Sequence, residues 1–239
     1  GARSGCLWAV ILAQSFFSLG LFVIVVIIAV VSMSGHTSAL RQQGTDDDPR
    51  LNEIWTSGSG ETKVIHVPLC GPIFFDDDGV FGVRSSMGFV LRSIKCATAD
   101  PDVRAIILDI DSGGGGITAS DILYKALMDF KKSRDDRKII ALFRDTAASG
   151  AYYVALAADI IIAHPTTITG SIGVVIQNYN IKGLSEKIGI KDVTFTSGPN
   201  KDLLNPFKDV SQEQTDMFQG IIEELHGRFV SLVATGRNL

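Results

Sequence analysis

The chain of 239 residues carries 22 basic and 26 acidic side chains for a net charge of −4, and its Lys and Arg residues are scattered along the sequence. The electrostatic footprint of a nucleic-acid binder is therefore missing, and no nucleic-acid partner is expected. Length and a hydrophobic share of 46% fit one full-sized domain plus an apolar anchor, and leave too little chain for two large domains.

Residues 1–6 form a short flank, and Leu7 to Met33 contains no charged side chain. As a helix that segment reaches roughly 40 Å, more than a hydrocarbon core of about 30 Å, which predicts a transmembrane anchor contacting membrane lipid over residues 7–33. A cleaved signal peptide is the competing reading. Its apolar region would run about 7 to 15 residues, and only Ser32 and Ser34 hint at a cleavage site. Arg3 before the span and Arg41 and Arg50 after it leave the orientation undetermined by charge.

Residues 34–62 turn polar and rich in Gly, Ser, Thr and Asp, which reads as a linker. The folded domain, 63–239, follows. Lys63 to Leu69 alternates like a strand, Ser86 to Thr98 has the period of an amphipathic helix, and Arg104 to Ile110 is an apolar run. A helix from Ile117 to Lys132, a strand Lys138 to Phe143, a short helix from Ser149 to Ala157 and a strand Asp159 to Ala163 continue the pattern. Strands alternating with helices of this length predict an α/β fold with parallel pairing, and runs such as Ala105-Ile106-Ile107-Leu108 suit strands buried on both faces. Near the end, Ser211 and Gln214 have capping-box spacing. Met217, Ile221, Leu225, Phe229 and Leu232 then share one face of a long amphipathic helix whose Glu223 and Glu224 read as solvated surface.

Three stretches carry candidate chemistry. Asp111-Ser112 followed by Gly113 to Gly116 joins a strand to a helix. Glycine there permits positive φ and close approach, and amides freed beside a helix start can receive an anion or an oxyanion. The run lacks the ending of a phosphate-binding P-loop, and a plain flexible turn is its simpler reading. Ser149, within Ala147-Ala148-Ser149-Gly150-Ala151, follows a strand and opens a helix among small residues; it is either an exposed nucleophile or merely a helix N-cap. A nucleophilic serine needs a base. Among His36, His66, His164 and His226, only His164 stands where a triad member could. The alternative is Lys201 in the turn-rich Thr196 to Asp202. A lysine can serve if an apolar cleft lowers its pKa from about 10.4 towards about 7 to 8, at a cost of ~4 kcal/mol to the charged form. Cys6, Cys70 and Cys96 form no C-x-x-C pair, so neither a zinc site nor a disulfide framework is expected, with a Cys70–Cys96 bridge left open. No metal or other cofactor is called for.

Together these stretches resemble the signal peptide peptidase, or protease IV, family of serine peptidases, which shares its fold with Clp protease and the crotonases. The similarity runs from about Val64 to Asn238. Ile107 to Ile117 looks like the family's glycine oxyanion motif, Ala148 to Tyr153 like its nucleophile motif, and Thr169 to Val174 like a further signature. Ser197-Gly198 through Lys201 to Pro206-Phe207 looks like the segment with its general base. The resemblance implies a repeated β-β-α and βαβ spiral in which Ser149 attacks the scissile carbonyl and Lys201 takes and returns the proton. Ser171 would hold the lysine, and the amides of Gly114 and Gly150 would stabilise the oxyanion. It further implies a homo-oligomer cleaving hydrophobic peptides such as spent signal peptides, with the catalytic domain on the non-cytoplasmic side of a single-pass membrane anchor. Gly113 departs from the family's usual proline, and relatives continue past Leu239. Two other functions compete: a scaffold of the same fold without activity, and a crotonase-type acyl-CoA enzyme.

Overall fold

The computed structural model describes residues 54, 56–75, 85–198 and 200–237. The predicted anchor at 7–33 and most of the linker lie outside the described residues. Among the described residues, no helix is long and apolar enough to cross a membrane.

The elements are β1 (Lys63–Cys70), α1 (Met87–Ala99), β2 (Val103–Ser112), α2 (Ile117–Lys132), β3 (Lys138–Ala148), α3 (Gly150–Ala155), β4 (Ile160–Ala163), β5 (Ile168–Gly170), α4 (Lys182–Lys187) and α5 (Gln212–Arg237); they follow the predicted alternation except for β5 and α4, which the sequence reading did not name. The strands pair in parallel in the order β1-β2-β3-β4, with β5 also on β3. Val67 lies opposite Leu108 and Ile106 opposite Ile139. The first half of β3 pairs with β4 and the second half, from Thr146 to Ala148, with β5. That second pairing carries β3 five residues past the predicted end at Phe143 and delivers the chain to Ser149.

Alternation decides which side chains form the core. Ile106, Leu108 and Ile110 of β2 cluster with Val90 and Ile94 of α1 and with Leu123, Leu127 and Phe130 of α2, all essentially buried. The opposite sheet face differs from the expectation of burial on both sides. Ala105 and Ile107 are only half-buried, and Val64 and Leu142 are exposed. Asp109 on that face is buried and accepts hydrogen bonds from His66 on β1 and from the Arg144 guanidinium on β3. An apolar run in sequence cannot reveal a carboxylate whose partners sit on both flanking strands. Hydrogen bonds from Arg144, reinforced by His66 and opposed by burial, hold Asp109 below the ordinary 3.8.

The Cys70–Cys96 pairing that the sequence left open is not made: the two are not joined by a disulfide. The capping box forms, with the Gln214 amide donating to Ser211 Oγ at 3.2 Å and the Ser211 amide to Gln214 Oε1 at 3.4 Å. Yet the apolar face of α5 is only half used: Phe229 and Val233 are buried beside Tyr153 and Leu156, whereas Met217 and Ile221 are exposed. Only the C-terminal half of that helix has α3 beneath it.

Candidate active site

Ser149 stands between β3 and α3 with φ 52° and ψ −123°, a backbone region that side chains rarely adopt. Holding a non-glycine residue there costs of order 1–3 kcal/mol and persists only where the surroundings impose it. The surroundings are explicit. The Ser149 amide donates to the Gly170 carbonyl at the end of β5 (2.8 Å), and the Tyr153 amide donates to the Ser149 carbonyl (2.9 Å). Ser149 occupies the N-cap position of α3, but its hydroxyl makes no capping hydrogen bond. The cap alternative raised by the sequence therefore fails: the strained turn lifts the hydroxyl out of the helix instead of using it to close the helix end.

The glycine turn after β2 lies directly against this elbow. A Cβ on Gly114, whose φ is +95°, would stand 2.5 Å from the Gly150 nitrogen and 2.9 Å from the Ala148 carbonyl oxygen. One on Gly150 would meet Ser120 Oγ at 2.4 Å and the Gly115 nitrogen at 3.1 Å. Two backbone segments thus touch where no side chain fits, which is why both turns are built of glycine. The flexible-turn alternative for Gly113 to Gly116 is also excluded by its bonds: the Ile73 amide donates to the Gly114 carbonyl, and the Gly116 amide donates to the Ile73 carbonyl.

Around Ser149 lies a cleft of about 90 Å³ walled by Gly115, Ile117, Tyr153, Val174, Leu225 and Phe229. The amide of Gly114 donates to Ser112 Oγ at 3.1 Å. Gly115 and Gly150 both line the cleft, and their amides have no acceptor among the described residues. Spacing alone could not tell which glycine amide is already occupied.

The remaining predicted residues stand differently. Ser171 follows Gly170 with φ 52° and is exposed, two residues before Gly173 in the cleft wall. Lys201 sits on an exposed turn, its amide donating to the Gly198 carbonyl, and its ammonium has no hydrogen-bond or ion-pair partner among the described residues. It does not line the cleft. His164, the alternative base, pairs with the Thr166 hydroxyl at 2.8 Å and is likewise outside the cleft. Among the described residues no group of His, Cys, Asp and Glu could hold a metal ion.

One constellation escaped the sequence reading. Asp121 of α2 accepts from Tyr153 Oη of α3 at 2.5 Å and from Arg228 of α5 at 2.6 Å, and Arg228 Nε donates to Tyr153 Oη at 3.1 Å. Burial, then the bond to Asp121, pushes the Tyr153 hydroxyl up to about 12. Burial also pushes Asp121 up, but its bonds from Arg228 and Tyr153 outweigh that and leave it below 3.8. Residues 107 positions apart carry no local pattern.

A parallel α/β sheet that ends in a strained serine elbow against a glycine turn defines a serine-centred α/β protein. Its sequence narrows the class. Residues 131–239 match the model of Peptidase family S49. A protein of Enterococcus faecium provisionally assigned as signal peptide peptidase SppA is 40% identical over 189 residues, covering 78% of this chain and 54% of that one. A Synechocystis protein provisionally assigned as a protease is 37% identical over 187 residues, covering 78% and 63%. The chloroplastic serine protease SPPA of Arabidopsis thaliana is 32% identical over 151 residues, covering 63% and 22%. The chain belongs to the signal peptide peptidase family, and it spans little more than half the length of the first of these relatives. A solved structure of a ClpP1 point mutant from Listeria monocytogenes is similar over 72% of this chain and 71% of its own, at 13% identity and a TM-score of 0.43, a likeness too slight to define the fold.

Proposed function

We propose that this protein is a membrane-anchored serine endopeptidase that hydrolyses hydrophobic peptides, such as cleaved signal peptides, with Ser149 as nucleophile and Lys201 as general base. The single observation that carries the reading is Ser149, held at φ 52° with no capping bond from its hydroxyl, in a cleft also lined by Gly115 and Gly150, whose amides have no acceptor among the described residues. In this mechanism Ser149 Oγ attacks the scissile carbonyl while the neutral Lys201 amine takes its proton. The carbonyl oxygen becomes an oxyanion held by backbone amides, where loss of one donor costs about 3 to 4 kcal/mol. The lysine then protonates the leaving amine, the C–N bond breaks, and water repeats the sequence on the acyl-enzyme with the lysine as base again. Gly150 suits the donor role as it stands. Gly114 serves only if Ser112 Oγ yields its amide, and Gly115, a cleft-lining residue whose amide is not so engaged, is the other candidate for second donor.

Aliphatic walls from Ile117, Val174 and Leu225 support an apolar substrate. The exposed position of Lys201 adds a requirement: the segment bearing it must close over Ser149, with Ser171 holding the amine, before the base is sheltered. Assembly into a homo-oligomer would supply such shelter, and it accords with the exposed apolar side chains of Val175, Ile188, Val193 and Phe195. Anchoring through residues 7–33, a non-cytoplasmic catalytic domain and the spiral shared with Clp protease and the crotonases complete the proposal. The same exposure of Lys201 favours a second reading, a scaffold that keeps the fold without the reaction. Incubation of the detergent-solubilised full chain with a leucine-rich signal peptide, read by mass spectrometry, tests the choice. Cleavage abolished by Ser149→Ala is expected; an intact peptide, or equal cleavage by the variant, overturns the reading.

A further inference from the structure

The α5 helix is held to the rest of the molecule by very little. Its apolar contact is one small buried cluster, Tyr153, Leu156, Phe229 and Val233, which the half-buried Tyr124 and Tyr152 join to the main core. Among the described residues its only polar side-chain link to other elements is Arg228, bonded to Asp121 of α2 and to Tyr153 of α3. The same helix nevertheless supplies Leu225 and Phe229 to the wall of the cleft, on either side of Arg228 along the helix. Tyr153 joins the two ends of this arrangement. Its amide is bonded to the carbonyl of Ser149, its ring lies 5.1 Å from that of Phe229 and 5.6 Å from that of Tyr124, and its hydroxyl sits between Asp121 and Arg228.

We propose that Asp121, Tyr153 and Arg228 form a clamp that sets the side-chain specificity of the cleft by fixing Leu225 and Phe229 as its far wall. The inference rests on the peptidase reading and adds the substrate class. The cleft measures about 90 Å³ and its walls include Ile117, Val174, Leu225 and Phe229. With the clamp closed these walls are held in place, and the preference assigned to them is for an aliphatic over an aromatic side chain. Asp121 and Arg228 act through Leu225 and Phe229 and are positioning residues, while Tyr153 also stands in the cleft wall itself. Charge-assisted bonds of this kind are the stronger ones, and they fix orientation as well as distance. An apolar contact as small as that of α5 would by itself leave the helix free to shift along α3.

The test uses the detergent-solubilised full chain and a peptide series differing only in the residue before the scissile bond: Ala, Val, Leu, Phe or Trp. The parent is expected to favour Val and Leu over Phe and Trp by about tenfold or more in kcat/KM. Phe229→Ala, which opens the wall, is expected to admit Phe. Arg228→Ala and Tyr153→Phe are expected to bring the aliphatic-to-aromatic ratio towards unity, mostly through a higher KM for Val and Leu, with Arg228→Lys restoring part of it. Cooperative thermal melts identify the variants that remain folded. An unchanged ratio in folded Arg228→Ala, or an equal loss on all five peptides in folded Arg228→Ala and Tyr153→Phe, overturns the clamp. A parent that neither cleaves any peptide nor reacts with a fluorophosphonate overturns the peptidase reading itself.

Discussion

From Lys63 to Ala157 the chain builds a body whose strands and helices share one close-packed cluster; from Ala158 to Arg228 it builds an arm in which Ser185 alone is buried among the described residues. The nucleophile elbow and both glycine turns belong to the body, and Lys201 belongs to the arm. The serine half of the proposed dyad is thus imposed by the chain's own packing. The lysine half depends on whatever covers the arm, because a general-base lysine has to leave water.

Substitutions that separate body from arm sharpen this contrast. Ser149→Ala is expected to abolish turnover, by on the order of a millionfold for a nucleophile, with no loss of thermal stability because it relieves neither packing nor a cap. A fall in turnover of only a few-fold, measured on the peptide substrates, removes the serine from the reaction. Leu127→Ala, at a fully buried site of α2, is expected to cost about 2–5 kcal/mol in denaturant unfolding. Phe195→Ala, on the arm and 93% exposed, is expected to change stability by less than about 0.5 kcal/mol. Comparable costs at the two sites would mean that the arm is buried in the working protein, and would break the contrast as drawn for the single chain.

Gly114→Ala and Gly170→Ala divide the glycines in the same way. Both carry positive φ, but a Cβ at Gly114 strikes the serine elbow while one at Gly170 meets nothing within 4 Å. We expect about 3 kcal/mol for the first, from overpacking added to backbone strain, and about 1 kcal/mol for the second. Equal midpoints in urea would contradict the close approach. The smallest effect concerns Asp109. Its folded pKa lies below 3.8, so the stability it contributes is present above about pH 4 and is lost as pH falls through the folded value. Thermal melts of Asp109→Asn should therefore lose part of the parent's decline in the acid range, and an unaltered profile would assign that decline to other carboxylates.

What could be read from the sequence follows the same division. The alternation of Lys63 to Leu69, Arg104 to Ile110 and Lys138 to Phe143 with the helices between them named a parallel α/β body, because period and burial are local properties. The small-residue run around Ser149 pointed to the elbow. Its strain was out of reach, because the Ser149 amide is held by the Gly170 carbonyl, 21 residues away on another strand. Asp109 passed within the apolar run Arg104 to Ile110, and the Asp121, Tyr153 and Arg228 clamp gave no sign, since its members meet only after α2, α3 and α5 have packed. Met217 and Ile221 show the converse: a periodic apolar face foretells a helix but not that every turn of it finds a partner.

Whether Lys201 activates Ser149 decides the proposed chemistry. Labelling of the detergent-solubilised full chain by a fluorophosphonate, followed from about pH 6 to about pH 10 beside Ser149→Ala and Lys201→Ala, measures this most directly. Labelling of the parent alone is expected, faster at the alkaline end of that range than at the acid end. A Lys201→Ala variant that labels as fast as the parent, with the same pH profile, would contradict the dyad.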